Sequence, residues 1–142
     1  MAKEFSFADL NKEMSKISEY GDTLDKSTIS EIDHYIPTGN YHLNACLTGS
    51  LFGGYPNNRA VALAGPSGTG KTYLILNAIK QAQKQGYSII FYDSENAVDK
   101  SLVEKFGIDP KTFRYEPCNT VQEFRSSVTA ITDVLIEQKK KG

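Results

Sequence analysis

The chain is poor in several things, and each shortage removes a class of function. It has only two cysteines, Cys46 and Cys118, which lie far apart and form no C-x-x-C. Such a pair makes neither a disulfide framework nor a zinc site, and both read as reduced core thiols of a cytosolic protein. The two histidines, His34 and His42, stand at no metal-ligand spacing with each other or with a carboxylate pair, so they read as surface or loop residues. No apolar run approaches the length of a membrane span. Residues 1–7 do not form a signal peptide, because Glu4 and Asp9 interrupt the start and no long apolar stretch follows. No membrane partner is expected. Charge of one sign is also missing: the net charge is −1, which gives no whole-chain attraction toward nucleic acid or acidic lipid. No internal repeat is visible. Lys139-Lys140-Lys141 is the only run of like charge, and reads as a solvated helix end.

What remains is an ordinary soluble composition. With 142 residues, 39% hydrophobic and 23% charged, there is room for one domain with a real core. Ser6-Phe7-Ala8-Asp9 has the form of a capping box, with Asp in place of Glu. Phe7, Leu10, Met14 and Ile17 then follow at spacings of three, four and three, which makes one apolar stripe on a helix. Gly21 is the expected stop, and the polar residues 22–30 read as a linker. Pro37-Thr38-Gly39 is a turn, residues 41–47 suggest a short helix, and residues 49–56, with Gly53-Gly54 and Pro56, have loop chemistry. Residues 60–64 (Ala-Val-Ala-Leu-Ala) form a continuous apolar run, as in a strand buried on both faces. A helix is predicted over 71–85 and closed by Gly86, then a second buried strand over 87–92. A short helix over 101–106, a third strand over 113–116 and a helix opened by the capping box Thr120-Val121-Gln122-Glu123 complete the pass. The alternation predicts an α/β fold with an open, largely parallel sheet and right-handed crossovers.

Gly65-Pro66-Ser67-Gly68-Thr69-Gly70-Lys71-Thr72 satisfies G-x-x-x-x-G-K-[ST] in full, which is the P-loop pattern. A triphosphate has to be wrapped by inward-pointing backbone N–H groups. Glycine permits the unusual dihedrals and close approach that this needs. The helix that follows adds free N–H groups and its positive dipole end. Lys71 is placed to reach the β and γ phosphates, and the Thr72 hydroxyl to ligate Mg²⁺. The alternative is a glycine-rich turn that binds nothing. The flanking apolar run and helix argue against it. No N-K-x-D guanine motif occurs, which favours ATP over GTP.

The apolar stretch Ile89-Ile90-Phe91-Tyr92 ends in Asp93-Ser94-Glu95. In an open α/β sheet ligands gather at the carboxyl ends of strands, so both acids are expected near the phosphate loop. Taken alone, the residues leave three readings open. Asp93 holds Mg²⁺ through water, or Glu95 is a general base for an attacking water, or the strand end simply turns polar on leaving the core.

Residues 36–107 resemble the bacterial and phage RecA family, particularly its UvsX-like phage branch. The resemblance is carried by Ile36-Pro37-Thr38-Gly39 through Leu47-Thr48-Gly49, and by Gly53-Gly54-Tyr55-Pro56 with Arg59. It continues in Phe91-Tyr92-Asp93-Ser94-Glu95, Asn96-Ala97-Val98-Asp99 and Lys105-Phe106-Gly107-Ile108-Asp109-Pro110. It implies a P-loop NTPase core of RecA-like type, in which Glu95 and Lys71 are catalytic. Residues 65–72 would bind the nucleotide, Thr72 would ligate the metal and Asp99 would lie near the adenine. Where bacterial members place a tyrosine on the adenine, this chain has Leu102, which packs on a base without stacking as an aromatic does.

The resemblance also implies a DNA-dependent ATPase acting in recombination and repair. It would use ATP and Mg²⁺ for homologous pairing and strand exchange on single-stranded DNA. The N-terminal helix would dock on a neighbouring subunit in a homo-oligomeric filament. Residues 1–30 are then a helical arm and linker, and residues 31–142 the N-terminal part of the ATPase core. The family's following strand, which ends in a Mg²⁺-binding aspartate, and its DNA-binding loops have no counterpart here. The sheet is therefore expected to be incomplete and the chain a fragment, inactive alone. The location implied is the cytoplasm, that of the bacterial host if phage-encoded. Two other functions fit the motifs: another RecA-fold motor of helicase or RadA-like type, and a regulatory module that binds ATP without hydrolysing it.

Overall fold

A computed structural model describes residues 6–18, 21, 23–26 and 31–141. Helix α1 (Phe7–Ile17) starts where the capping box predicts. The Ser6 hydroxyl accepts from the Asp9 N–H at 3.2 Å, and the Asp9 carboxylate accepts from the Ser6 N–H at 3.1 Å. The Ser6 hydroxyl also donates to the Asp9 carboxylate at 2.8 Å, and this bond with that from the Ser6 N–H holds the Asp9 carboxyl below its usual range. The helix ends at Ile17, before the expected Gly21. Ser18 turns extended and donates its N–H to the Met14 carbonyl. Ile17 is the last member of the apolar stripe, and Phe7, Leu10, Met14 and Ile17 all stand exposed. Of the linker expected over 22–30, residues 22 and 27–30 lie outside the described residues.

Strand β1 (Tyr35–Ile36) is followed by α2 (Tyr41–Thr48), whose cap is the Asn40 side chain accepting from the Leu43 N–H. Gly49, left-handed at φ 74°, closes α2. The chain then returns as β2 (Tyr55–Pro56), antiparallel to β1 with Ile36 opposite Tyr55. Residues 49–56 thus carry a short strand in addition to the expected loop. Gly53 and Gly54 are glycines because two segments meet there. A Cβ on Gly54 would lie 2.1 Å from the Ile36 carbonyl oxygen, and one on Gly53 would lie 1.8 Å from the Thr48 hydroxyl.

The remaining elements are α3 (Lys71–Lys84), β3 (Ile89–Asp93), α4 (Lys100–Lys105), a 3-10 turn at Pro110–Thr112, β4 (Phe113–Pro117) and α5 (Val121–Lys141). Strands β3 and β4 are parallel, from Ile89 opposite Phe113 to Asp93 opposite Pro117. The core lies beside them: Leu76 and Ile79 of α3, Val98, Val103 of α4 and Ile108, packed with Ile89, Phe91, Leu102, Phe106 and Phe113. Helix α5 opens on the expected box, with Glu123 donating its N–H to the Thr120 hydroxyl and accepting the Thr120 N–H. It is pinned to β3 by the edge-on pair Tyr92–Phe124 and by the bond between the Tyr92 and Ser127 hydroxyls.

Two expectations need correction. Residues 60–64 are not a buried strand. They belong to no ladder among the described residues, and all but the half-buried Leu63 are exposed. A strand exists through hydrogen bonds to a neighbour, and β3 pairs only with β4 among the described residues. In place of one three-stranded parallel sheet the described residues form two two-stranded sheets, β1–β2 antiparallel and β3–β4 parallel. Nor are the cysteines core thiols: both are free, with Cys46 exposed and Cys118 half-buried.

Candidate nucleotide site

The motif residues 65–72 form a loop that runs directly into α3. Gly68 (φ 76°) and Gly70 (φ 87°) are left-handed, and a Cβ at either would meet no atom within 4 Å. Glycine is needed there for conformation, not for space. The loop is braced from within. The Thr69 hydroxyl donates to the Pro66 carbonyl at 2.9 Å. The Lys71 ammonium donates to the carbonyls of Gly65 at 2.9 Å and Pro66 at 2.7 Å. No carboxylate among the described residues pairs with Lys71. Thr72 is the second residue of α3, so its N–H is one of the helix donors that lack an intrahelical acceptor. Gly70 ends in the left-handed region and provides no side-chain cap for those donors.

Facing this loop is the carboxyl end of β3. Residues 67–72 line one side of a single cavity of about 610 Å³, and residues 91–95 with Ala97 and Val98 line the other. The sequence-predicted loop and both acids therefore share one cleft. The two carboxylates have different surroundings. Asp93 is buried, at 7% exposure, and is the last residue of β3. Its Oδ1 accepts the Glu95 N–H at 2.9 Å. Its Oδ2 accepts the Val98 N–H at 3.1 Å and the Tyr115 hydroxyl at 3.2 Å. Burial pushes the Asp93 carboxyl up, but bonds from Glu95, Val98, Tyr115 and Ala97 outweigh it and leave the group below the usual carboxylate range. The Tyr115 phenol moves up, first through burial and then because it donates to a negative Asp93. Glu95 is exposed, on the bend after the strand, and its carboxylate has no hydrogen-bond or ion-pair partner among the described residues.

The donor set fits a polyphosphate with a hard divalent cation. It offers left-handed glycines, free helix N–H groups, a lysine held only by neutral carbonyls, and a threonine hydroxyl in the cavity wall. Asp99 is placed elsewhere. It is the N-cap of α4, accepting the Leu102 N–H at 2.7 Å. It lines a separate cavity of about 340 Å³ with Val98, Lys100, Val103, Pro110, Phe113 and Tyr115. Leu102 is half-buried against the core. Sequence reasoning did not find Tyr115, which lies 22 residues from Asp93 along the chain. Its only sequence signal is an aromatic at the strand position two residues before the Asp93 register partner Pro117.

Comparison with known proteins places the chain in a family. The family model of the RecA N-terminal domain matches residues 3–136. A RecA protein of Acholeplasma laidlawii is 36% identical over 110 residues, covering 76% of this chain and 31% of that protein. One from Lactobacillus delbrueckii subsp. bulgaricus is 33% identical over 127 residues, covering 87% and 38%. A third, from Bacteroides thetaiotaomicron, is 43% identical over 74 residues, covering 52% and 22%. The chain thus spans well under half the length of these relatives.

Proposed function

The chain belongs to the RecA N-terminal domain family, and from that premise we propose that it carries the ATP site of a DNA recombinase. The full-length protein would use a P-loop NTPase core to promote homologous pairing and strand exchange on single-stranded DNA. The observation that supports this best is the shared cleft, in which the glycine loop and Lys71 face the acidic end of β3. Backbone N–H groups of residues 68–72 receive the phosphate oxygens. The Lys71 ammonium would exchange the carbonyls of Gly65 and Pro66 for the β and γ phosphates, and the exposed Thr72 hydroxyl would hold Mg²⁺. The cation, when bound, neutralises charge between the phosphates. Glu95, without a side-chain partner among the described residues, takes the proton from the attacking water. Asp99 would lie near the adenine, a role supported only by the family resemblance.

The exposed stripe of α1 supports a role for residues 1–30 as an arm that docks on the next subunit of a filament, with residues 31–142 as part of the ATPase core. The strand end Phe91-Tyr92-Asp93-Ser94-Glu95 supports placement in the UvsX-like phage branch, acting in the cytoplasm of a bacterial host. No helix among the described residues is long and apolar enough to cross a membrane. The test is Mg-ATP turnover by the full-length protein at low salt, with and without single-stranded DNA. DNA-stimulated turnover that disappears in Glu95→Gln is the expected result. ATP binding with no turnover in either condition would refute the recombinase reading in favour of a non-hydrolysing module.

A further inference from the structure

Of the two acids in the cleft, only one is free to act on a ligand. A carboxylate offers about four lone-pair sites, and the buried Asp93 has three donors bonded to it: the N–H groups of Glu95 and Val98 and the hydroxyl of Tyr115. Two of these donors belong to the five residues that follow Asp93, so its charge curls the chain back around the strand end. The Cys118 N–H donates to the Asp93 carbonyl at 3.1 Å, which fixes the same residue to the end of β4. Asn96 completes the turn in a left-handed conformation at φ 53°, and its side-chain oxygen lies 3.5 Å from the Tyr115 hydroxyl. A buried charge persists only where hydrogen bonds satisfy it, and here two of the three partners belong to the loop that carries Glu95, while the third, Tyr115, comes from β4.

We infer that Asp93 is a positioning residue, which together with Tyr115 clamps residues 94–98 and so fixes Glu95 at the rim of the cleft, opposite the phosphate loop. The inference rests on the reading of Glu95 as proton acceptor. It separates Asp93 from the role of a metal ligand, because the carboxylate is buried and both its oxygens are already hydrogen-bonded within the protein. Tyr115 reaches the site from β4, so the base is aimed by an element that does not line the nucleotide cleft.

The experiment compares Asp93→Asn, Tyr115→Phe and Glu95→Gln in the full-length protein. It measures kcat and KM for ATP, the Mg²⁺ concentration at half-maximal rate, and amide hydrogen exchange at Glu95 and Val98. An amide side chain at position 93 presents an N–H toward donors that need an acceptor. Asp93→Asn should therefore expose the Glu95 and Val98 amides to exchange. It should lower kcat about 10- to 100-fold, the scale of a base displaced by about an ångström, and leave KM and the Mg²⁺ requirement within about threefold. Tyr115→Phe removes one donor at a partly exposed residue, and should move kcat and exchange the same way by a smaller factor. It keeps the test intact if Asp93→Asn does not fold. A raised Mg²⁺ requirement in Asp93→Asn overturns the inference in favour of a metal ligand. Full kcat in both clamp variants, with turnover lost in Glu95→Gln, overturns it too. Full turnover in Glu95→Gln instead refutes the proposed role of Glu95, and exchange at Glu95 and Val98 still decides whether the clamp exists.

Discussion

Replacing Lys71 by alanine removes the one cation that, among the described residues, faces the cleft from the loop side. In the structure the ammonium donates to two neutral carbonyls, of Gly65 and Pro66. Both carbonyls belong to exposed residues, so water can replace the lysine and the loss to folding should be about 1 kcal/mol or less. With Mg-ATP bound, the same ammonium has phosphate oxygens as acceptors. Hydrogen bonds to charged groups contribute about 1.5–3 kcal/mol each, and part of that is offset because the lysine must first leave its carbonyls. A net loss of roughly 2–4 kcal/mol follows, which raises Kd by about 30- to 1,000-fold. Calorimetric titration of Mg-ATP into wild type and Lys71→Ala measures it directly. Thermal unfolding run beside it should show nearly equal midpoints, because the core residues Leu76 and Ile79 lie further along α3. Equal affinities for ATP in the two proteins, both folded, would refute the assignment of residues 65–72 as a phosphate-binding loop.

Glu95→Gln should retain ATP binding and reduce hydrolysis by the full-length protein by about 100-fold or more, the scale of losing a positioned base; single-turnover assays separate the two effects. Asp93 has a folded pKa below its ordinary value of about 3.9. Its contribution to stability is therefore present above that value and lost as pH falls from there through the lower folded value. Asp93→Asn should flatten this acid limb in pH-dependent unfolding, and an unchanged limb would mean the carboxylate is not held as described. Leu76 is the most deeply buried core residue at 1% exposure, and Leu76→Ala should destabilise the protein by about 2–5 kcal/mol in urea unfolding. Gly54→Ala places a Cβ 2.1 Å from the Ile36 carbonyl and should lower stability by about 1–3 kcal/mol, whereas Gly68→Ala, with open space around its Cβ, should do so through backbone strain alone.

The features legible in the sequence were those set by short-range chemistry. The capping boxes at Ser6 and Thr120 depend on residues three apart, and both form as expected. The loop 65–72 and the start of α3 are dictated by two left-handed glycines followed by a helical apolar pattern. Strand β3 ends at Asp93, one residue past the expected apolar stretch. Residues 60–64 were misread for a physical reason. An apolar run reports a preference for burial, but a strand also needs an adjacent edge, and sequence composition cannot supply one. The same gap hid β1 and β2: two residues each carry no periodicity, and only the contact of Gly54 with the Ile36 carbonyl shows why a glycine pair stands there. Cys46 was read as buried from residue type alone, yet it sits on the exposed side of α2, whose one buried residue is Asn44.

The acid pair shows most clearly what sequence spacing leaves open. Two carboxylates two residues apart on one strand would point to the same face, so pattern alone assigns them interchangeable roles. The chain breaks that equivalence by ending β3 at the first of them. Asp93 still has β4 beside it and is sealed under Tyr115. Glu95 falls on the bend and stays in solvent. Burial then decides chemistry. A carboxylate removed from water must collect donors to remain charged, and oxygens so buried and engaged have less to offer a cation or a water molecule. The exposed carboxylate needs no such partners and keeps its oxygens free, but it lacks an anchor of its own. The buried acid supplies that anchor through the Glu95 N–H, so the less accessible carboxylate gives direction to the more reactive one.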